Sequence, residues 1–101
     1  MIKHTKVYLS GPMTGYVEYN YPAFHAARDA LRAAGYEVIS PARGMVDGWD
    51  WSDYMRRGLR DVCDAEAVAV LPGWEQSRGA RLEVECAQAL GLRCDPLEAY
   101  L

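Results

Sequence analysis

The sequence predicts an α/β fold, a layered sandwich of about four parallel strands with helices on both faces. Three observations carry the prediction. Short apolar or β-branched runs alternate with segments whose apolar residues recur at helical spacing. Glycine or proline ends most of these runs. The resulting order is strand, helix, strand, helix, strand, helix, strand, which calls for right-handed crossovers between parallel strands of one sheet. At 101 residues the chain holds a single domain, residues 1–101, with one small core.

Lys6-Val7-Tyr8-Leu9-Ser10 reads as a central strand that stops at Gly11-Pro12. The loop Ser10 to Gly15 carries two glycines, which let backbone N–H groups approach a ligand, although its spacing fits neither a P-loop nor a dinucleotide fingerprint. Tyr16 to Tyr21 is an aromatic, polar loop whose tyrosines either stack on a base or cover the edge of the core. Asn20 is the expected cap and Pro22 the first turn of a helix from about Pro22 to Ala34, with Phe24, Ala27, Leu31 and Ala34 inward and Gly35 as its stop. His25 lies off that stripe and is expected in solvent.

Tyr36 to Ser40 is the second strand, ended by Pro41. The stretch 42–50 is a loop of the length that often serves as a lid; Trp49 and Trp51 beside it either shield a pocket or plug the rim of the core. A second helix spans about Ser52 to Asp64, with Trp51, Met55, Leu59 and Val62 as its stripe. Gly58 interrupts it, at a cost of about 1 kcal/mol relative to alanine. Ala67 to Leu71 is the third strand. The third helix runs from about Arg78 to Leu90 behind Ser77 as N-cap, with Ala80, Val84, Ala87 and Leu90 inward and Gly91 as its stop. Arg93-Cys94 begins a short edge strand that Asp95-Pro96 breaks, leaving Leu97 to Leu101 as a tail.

A net charge of -3 and the lack of a basic stripe argue against a nucleic-acid partner. No stretch reads as a transmembrane span or a signal peptide, so no membrane partner and a cytoplasmic location are expected. Cys63, Cys86 and Cys94 lack metal-ligand spacing and are expected to be reduced and mostly buried; no metal and no cofactor is expected.

In a sheet of this kind the ligand crevice lies beyond the C-terminal strand ends. The loops after the first three strands converge there. Pro72 to Ser77 leads into a helix N-terminus, a natural anion site, and Glu83 follows one and a half turns inside that helix. The crevice offers Glu83, the Ser77 hydroxyl and the Tyr8 phenol. No His near the loops makes a Ser-His-Asp arrangement. A carboxylate nucleophile suits an electrophile such as the anomeric carbon of a sugar. From spacing alone Glu83 is either that nucleophile or a solvated helix residue.

Val7 to Gly15 and Leu71 to Glu83 together resemble a family of small phage and bacterial domains of unassigned function (DUF4406-like). That family is related to nucleoside 2-deoxyribosyltransferases and 2'-deoxynucleoside 5'-phosphate N-hydrolases. The resemblance covers nearly the whole chain. It implies a compact flavodoxin-like three-layer sandwich, a small-molecule nucleotide ligand and a homodimer. It also implies cleavage of the N-glycosidic bond of a 2'-deoxynucleoside 5'-monophosphate, by hydrolysis or deoxyribosyl transfer. The family's [Asp/Ser]-x-Gly-x-x-x-Glu pattern falls on Ser77, Gly79 and Glu83, which makes Glu83 the nucleophile. Its strand tyrosine falls on Tyr8. Its glycine loop falls on Ser10, Gly11, Met13, Thr14 and Gly15 around the 5' end of the nucleotide; Trp74 joins this set, and Ser77 contacts the phosphate.

One position departs from the pattern. The family's Asp on the second helix, which handles the leaving base, falls on Gly58. Asp61, one turn along the same face, is the alternative leaving-group acid. A site without such an acid is the mark of the alternative function, a non-catalytic nucleotide-binding module of the same fold.

Overall fold

The computed structural model describes residues 5–101. Its four strands are β1 (Lys6–Ser10), β2 (Glu37–Ile39), β3 (Ala67–Val70) and β4 (Arg93–Pro96). They form one sheet in the order β2-β1-β3-β4, with every neighbouring pair parallel. Three helices cross between them: α1 (Tyr21–Ala33), α2 (Trp51–Asp64) and α3 (Arg78–Ala89).

Strand side chains alternate between the two faces of the sheet, and the core divides accordingly. Val7, Leu9, Ala67 and Ala69 pack with Phe24, Ala27 and Leu31 of α1. Tyr8, Val68 and Val70 pack with Val62 of α2 and with Val84 and Ala87 of α3. The central strands β1 and β3 are covered on both faces, which is why they read as nearly continuous apolar runs. The predicted α/β sandwich of four parallel strands is the fold observed. Among the described residues no helix is long and apolar enough to cross a membrane.

The differences are local. Asp95 and Pro96 complete β4 instead of breaking it, pairing with Ala69 and Val70. β4 is an edge strand with one paired side, so a proline at its last position costs little. The tail Leu97–Tyr100 is a 3-10 turn that seats Tyr100 in the core, where its hydroxyl donates to Val68 O at 2.7 Å. Asn20 does not cap α1 through its side chain; its Nδ2 donates to Pro12 O at 2.9 Å and ties the aromatic loop to the glycine loop. α2 starts one residue before Ser52, behind a capping box in which Asp50 and Asp53 accept from each other's backbone N–H. Its buried face is Met55, Gly58 and Val62, with Trp51 exposed. Leu90 and Ala34 are exposed, since each sits where its helix has already ended. His25 is half-buried against Tyr21 and Arg28. The cysteines are free but not mostly buried: Cys63 is exposed, and Cys86 and Cys94 are half-buried.

Candidate active site

Glu83 lies at the bottom of the site. Gly79, Glu83 and Ala87 share one face of α3 at four-residue spacing, and that face turns toward the sheet and α2. Tyr8 and Ser10 are two residues apart on β1, so both point to the same side of the sheet. The three meet. Tyr8 Oη donates to Glu83 Oε2 at 2.7 Å, and Ser10 Oγ donates to Glu83 Oε1 at 2.7 Å. Each carboxylate oxygen therefore has its own hydroxyl donor. Tyr8 and Ser10 are wholly buried, and Glu83 is 9% exposed.

Burial raises the Glu83 carboxyl to about 7, from an ordinary 4.5. The two hydroxyl donors pull the other way, because they stabilise the charged form, and the nearby Asp61 charge adds to the rise. Tyr8 is raised well above its ordinary 10, first by burial and then by the Glu83 charge. It remains a neutral donor at any working pH. Glu83 is thus held near its own titration point, the condition under which a carboxylate is both available and reactive near neutrality.

Gly58 explains how Glu83 fits. A Cβ at this position of α2 would collide with Glu83 Oε2 and touch Tyr8 Oη at 3.3 Å. The glycine lets the carboxylate tuck between α2 and β1. Asp61, the expected leaving-group acid, is held by Arg43 in this arrangement. Its carboxylate lies 3.0 Å from Arg43 Nη1, an ion pair not aligned as a hydrogen bond, and it does not line the cavity.

Above Glu83 opens a cavity of about 510 Å³, in the range of small-ligand sites. Gly11, Met13 and Thr14 line it, as do Ser77 and Gly79 at the start of α3. Ser77 caps that helix by accepting from Ala80 N at 3.2 Å. Ser10 lies beneath the cavity and touches the carboxylate. Gly15 is exposed outside the lining, and Trp74 packs against the core on the α2–α3 face of the sheet.

The wall is aromatic: Tyr16, Tyr19, Tyr21, Trp51 and Tyr54. All three loop tyrosines line the cavity, and Tyr21 also packs against the core. Glu18, Tyr19 and Asn20 hold left-handed backbone angles, with φ of 54°, 51° and 63°. Such angles cost about 1–2 kcal/mol each in a residue with a side chain. Strain of this kind clusters at ligand clamps. Trp51 belongs to the cavity wall, while Trp49 stacks edge-on with Tyr54 at 5.1 Å.

Two cations missed by the sequence reading also line the cavity. Arg78 lies over the Trp51 ring at 4.2 Å, and Arg57 is fixed by Pro41 O at 3.1 Å and by the Trp49 and Tyr54 rings. Arginines on helices of mixed composition look like solvated surface residues. Only the meeting of α2 with the start of α3 shows that these two share a space. Among the described residues, no group of three or more His, Cys, Asp or Glu side chains is placed to hold a metal.

A family model described as a domain of unknown function, DUF4406, matches residues 5–95. No curated protein matches the sequence. Among solved structures, the chain is similar to a 2-desoxiribosyltransferase from Leishmania mexicana, with a TM-score of 0.70 at 14% identity. The match covers 89% of this chain and 61% of that one, so the chain spans less than two thirds of the structure it resembles. At that identity the likeness establishes a shared fold.

Proposed function

We propose, for a chain that belongs to the DUF4406 family, cleavage of the N-glycosidic bond of a 2'-deoxynucleoside 5'-monophosphate, with Glu83 as nucleophile. The single observation that carries the reading is the buried Glu83 carboxylate held by Tyr8 and Ser10 at the floor of a nucleotide-sized cavity. Glu83 attacks C1' and forms a glycosyl ester, which water or an acceptor base then resolves. Tyr8 and Ser10 fix the direction of attack and stabilise the ionised form. Arg57, Arg78 and the N-terminus of α3 at Ser77 and Gly79 supply the positive end of the cavity for a 5'-phosphate. Gly11, Met13 and Thr14 line the sugar and phosphate side, and the aromatic wall receives the base. The similarity to a 2-desoxiribosyltransferase supports the same class of chemistry. A homodimer belongs to the proposal, and light scattering on the purified chain tests it.

The test is incubation with each deoxynucleoside 5'-monophosphate, with and without a free acceptor base, and chromatographic detection of released base. Release that falls at least ~10³-fold in Glu83→Gln is expected, the scale of losing a covalent nucleophile. Free nucleosides are expected to be poorer substrates, since they leave the arginines unpaired. Intact nucleotides in every reaction overturn the reading. A second reading has its own observation: Glu83 is the one carboxylate among the described residues that line the cavity. It favours a nucleotide-binding module, which predicts a thermal shift with nucleotide that persists in Glu83→Gln and no turnover.

A further inference from the structure

The proposed bond cleavage has two electronic halves, and the cavity equips only one. C1' needs a nucleophile, which Glu83 provides. The departing base needs somewhere to put the electron pair of the C1'–N bond. For an ordinary purine or pyrimidine this takes a proton from an acid, worth typically 10²–10⁴-fold. Among the described residues that line the cavity there is no Asp, His, Cys or Lys, and Glu83 is committed to attack. The phenols of Tyr16, Tyr19, Tyr21 and Tyr54 line it. Tyr21 and Tyr54 hydroxyls also accept from the backbone of Gly44 and Val46, at 3.0 and 2.8 Å. The position that faces Glu83 from α2 is Gly58, where any Cβ would collide with the carboxylate. Asp61 is paired with Arg43 and does not line the cavity.

We infer that the substrate is a nucleotide whose base already carries a fixed positive charge, an N-alkylated purine or a pyridinium nucleotide. This rests on the proposed Glu83 chemistry and specifies its substrate. Glu83 bonds to C1' as the C1'–N bond breaks. The electron pair goes to the ring nitrogen and cancels the positive charge, so the base leaves neutral without taking a proton. Water then attacks C1' of the ester, the ester bond breaks back to the Glu83 carboxylate, and one proton goes to solvent. No acid is needed at any step. The surroundings suit a cation as well. A charged ring is attracted both by the Glu83 carboxylate below it and by the faces of the half-exposed Tyr16 and Tyr19. The arginines meet the phosphate.

The experiment compares dGMP with N7-methyl-dGMP, which share sugar, phosphate and base and differ in the charge. Base release is measured at pH 5 to 6, where N1 of the methylated guanine keeps its proton and the ring its charge, with spontaneous depurination and the Glu83→Gln rate subtracted. The expected kcat/KM is at least ~100-fold higher for the methylated nucleotide, the lower bound of what a missing acid forfeits. A ratio under ~100 reveals a working acid and overturns the inference while leaving the Glu83 reaction in place. If Glu83-dependent release occurs from neither nucleotide, the reaction itself is wrong and the inference goes with it.

Discussion

Glu83 is a carboxylate whose burial opposes its charge and whose neighbours restore part of what burial removes. Desolvation raises it to about 7; Ser10 and Tyr8 each lower it by donating to one oxygen. The residue sequence implied an active-site Tyr8, and the geometry gives that tyrosine its partner. Ser10 differs from its expected part as a substrate contact, because it is fully buried and bonded to the carboxylate. A specific outcome follows for Ser10→Ala. It removes a buried hydrogen bond to a charged group, of the kind worth ~1.5–3 kcal/mol. The acid limb of kcat/KM is expected to move alkaline of about 7, because the ionised carboxylate has lost a donor while KM hardly changes. A raised KM with an unmoved limb would return Ser10 to the substrate.

At the level of elements, the close approach of α2 and α3 at Gly58 shapes the site. A glycine inside a helix looks like a defect worth about 1 kcal/mol, and the family pattern makes it a lost acid. The packing supplies a further reason, since Glu83 Oε2 occupies the space of a Cβ. Gly58→Ala should therefore separate stability from activity. The helix gains propensity, and the obstructing atom is the end of a flexible side chain that can swing into the cavity. The melting temperature is expected to hold within a few degrees, on the order of a 1 kcal/mol change for a domain this size. Turnover is expected to drop by ~10-fold or more, because a carboxylate shifted by about 1 Å loses alignment. Equal activity with an unchanged melting point would show that the tucked position of Glu83 is dispensable.

For the whole molecule, the raised Glu83 links folding to pH. The unfolded carboxyl titrates near 4.5 and the folded one near 7. Between these values the folded chain holds the proton that the unfolded chain has released. Stability therefore falls as pH rises through this window and levels off above it. A shift of this size corresponds to about 3 kcal/mol, a sizeable share of the stability of a small domain. Chemical denaturation from pH 4.5 to 8 is expected to show the decline in the native chain and a flatter profile in Glu83→Gln. Parallel profiles in the two chains would mean that Glu83 is not the buried group being titrated.

The alternation of apolar runs and helical periods was sufficient for the α/β class, because a strand and a helix each impose a local period that side chains must follow. The same local logic located Ser77 as an N-cap, and the motif carried by Ser77, Gly79 and Glu83 singled out the glutamate. It misjudged Asp95-Pro96, Asn20 and the tail. Whether a proline breaks a strand depends on which side pairs, and whether a terminus is idle depends on whether Tyr100 finds a core to enter. Tertiary structure alone decided the pairing of Glu83 with Tyr8 and Ser10, the gathering of Arg57 and Arg78 around one cavity, and the meaning of Gly58. Glu83 is more than seventy residues from both of its donors. Contacts of that separation leave no periodic trace along the chain, since they exist only once β1, α2 and α3 have packed together.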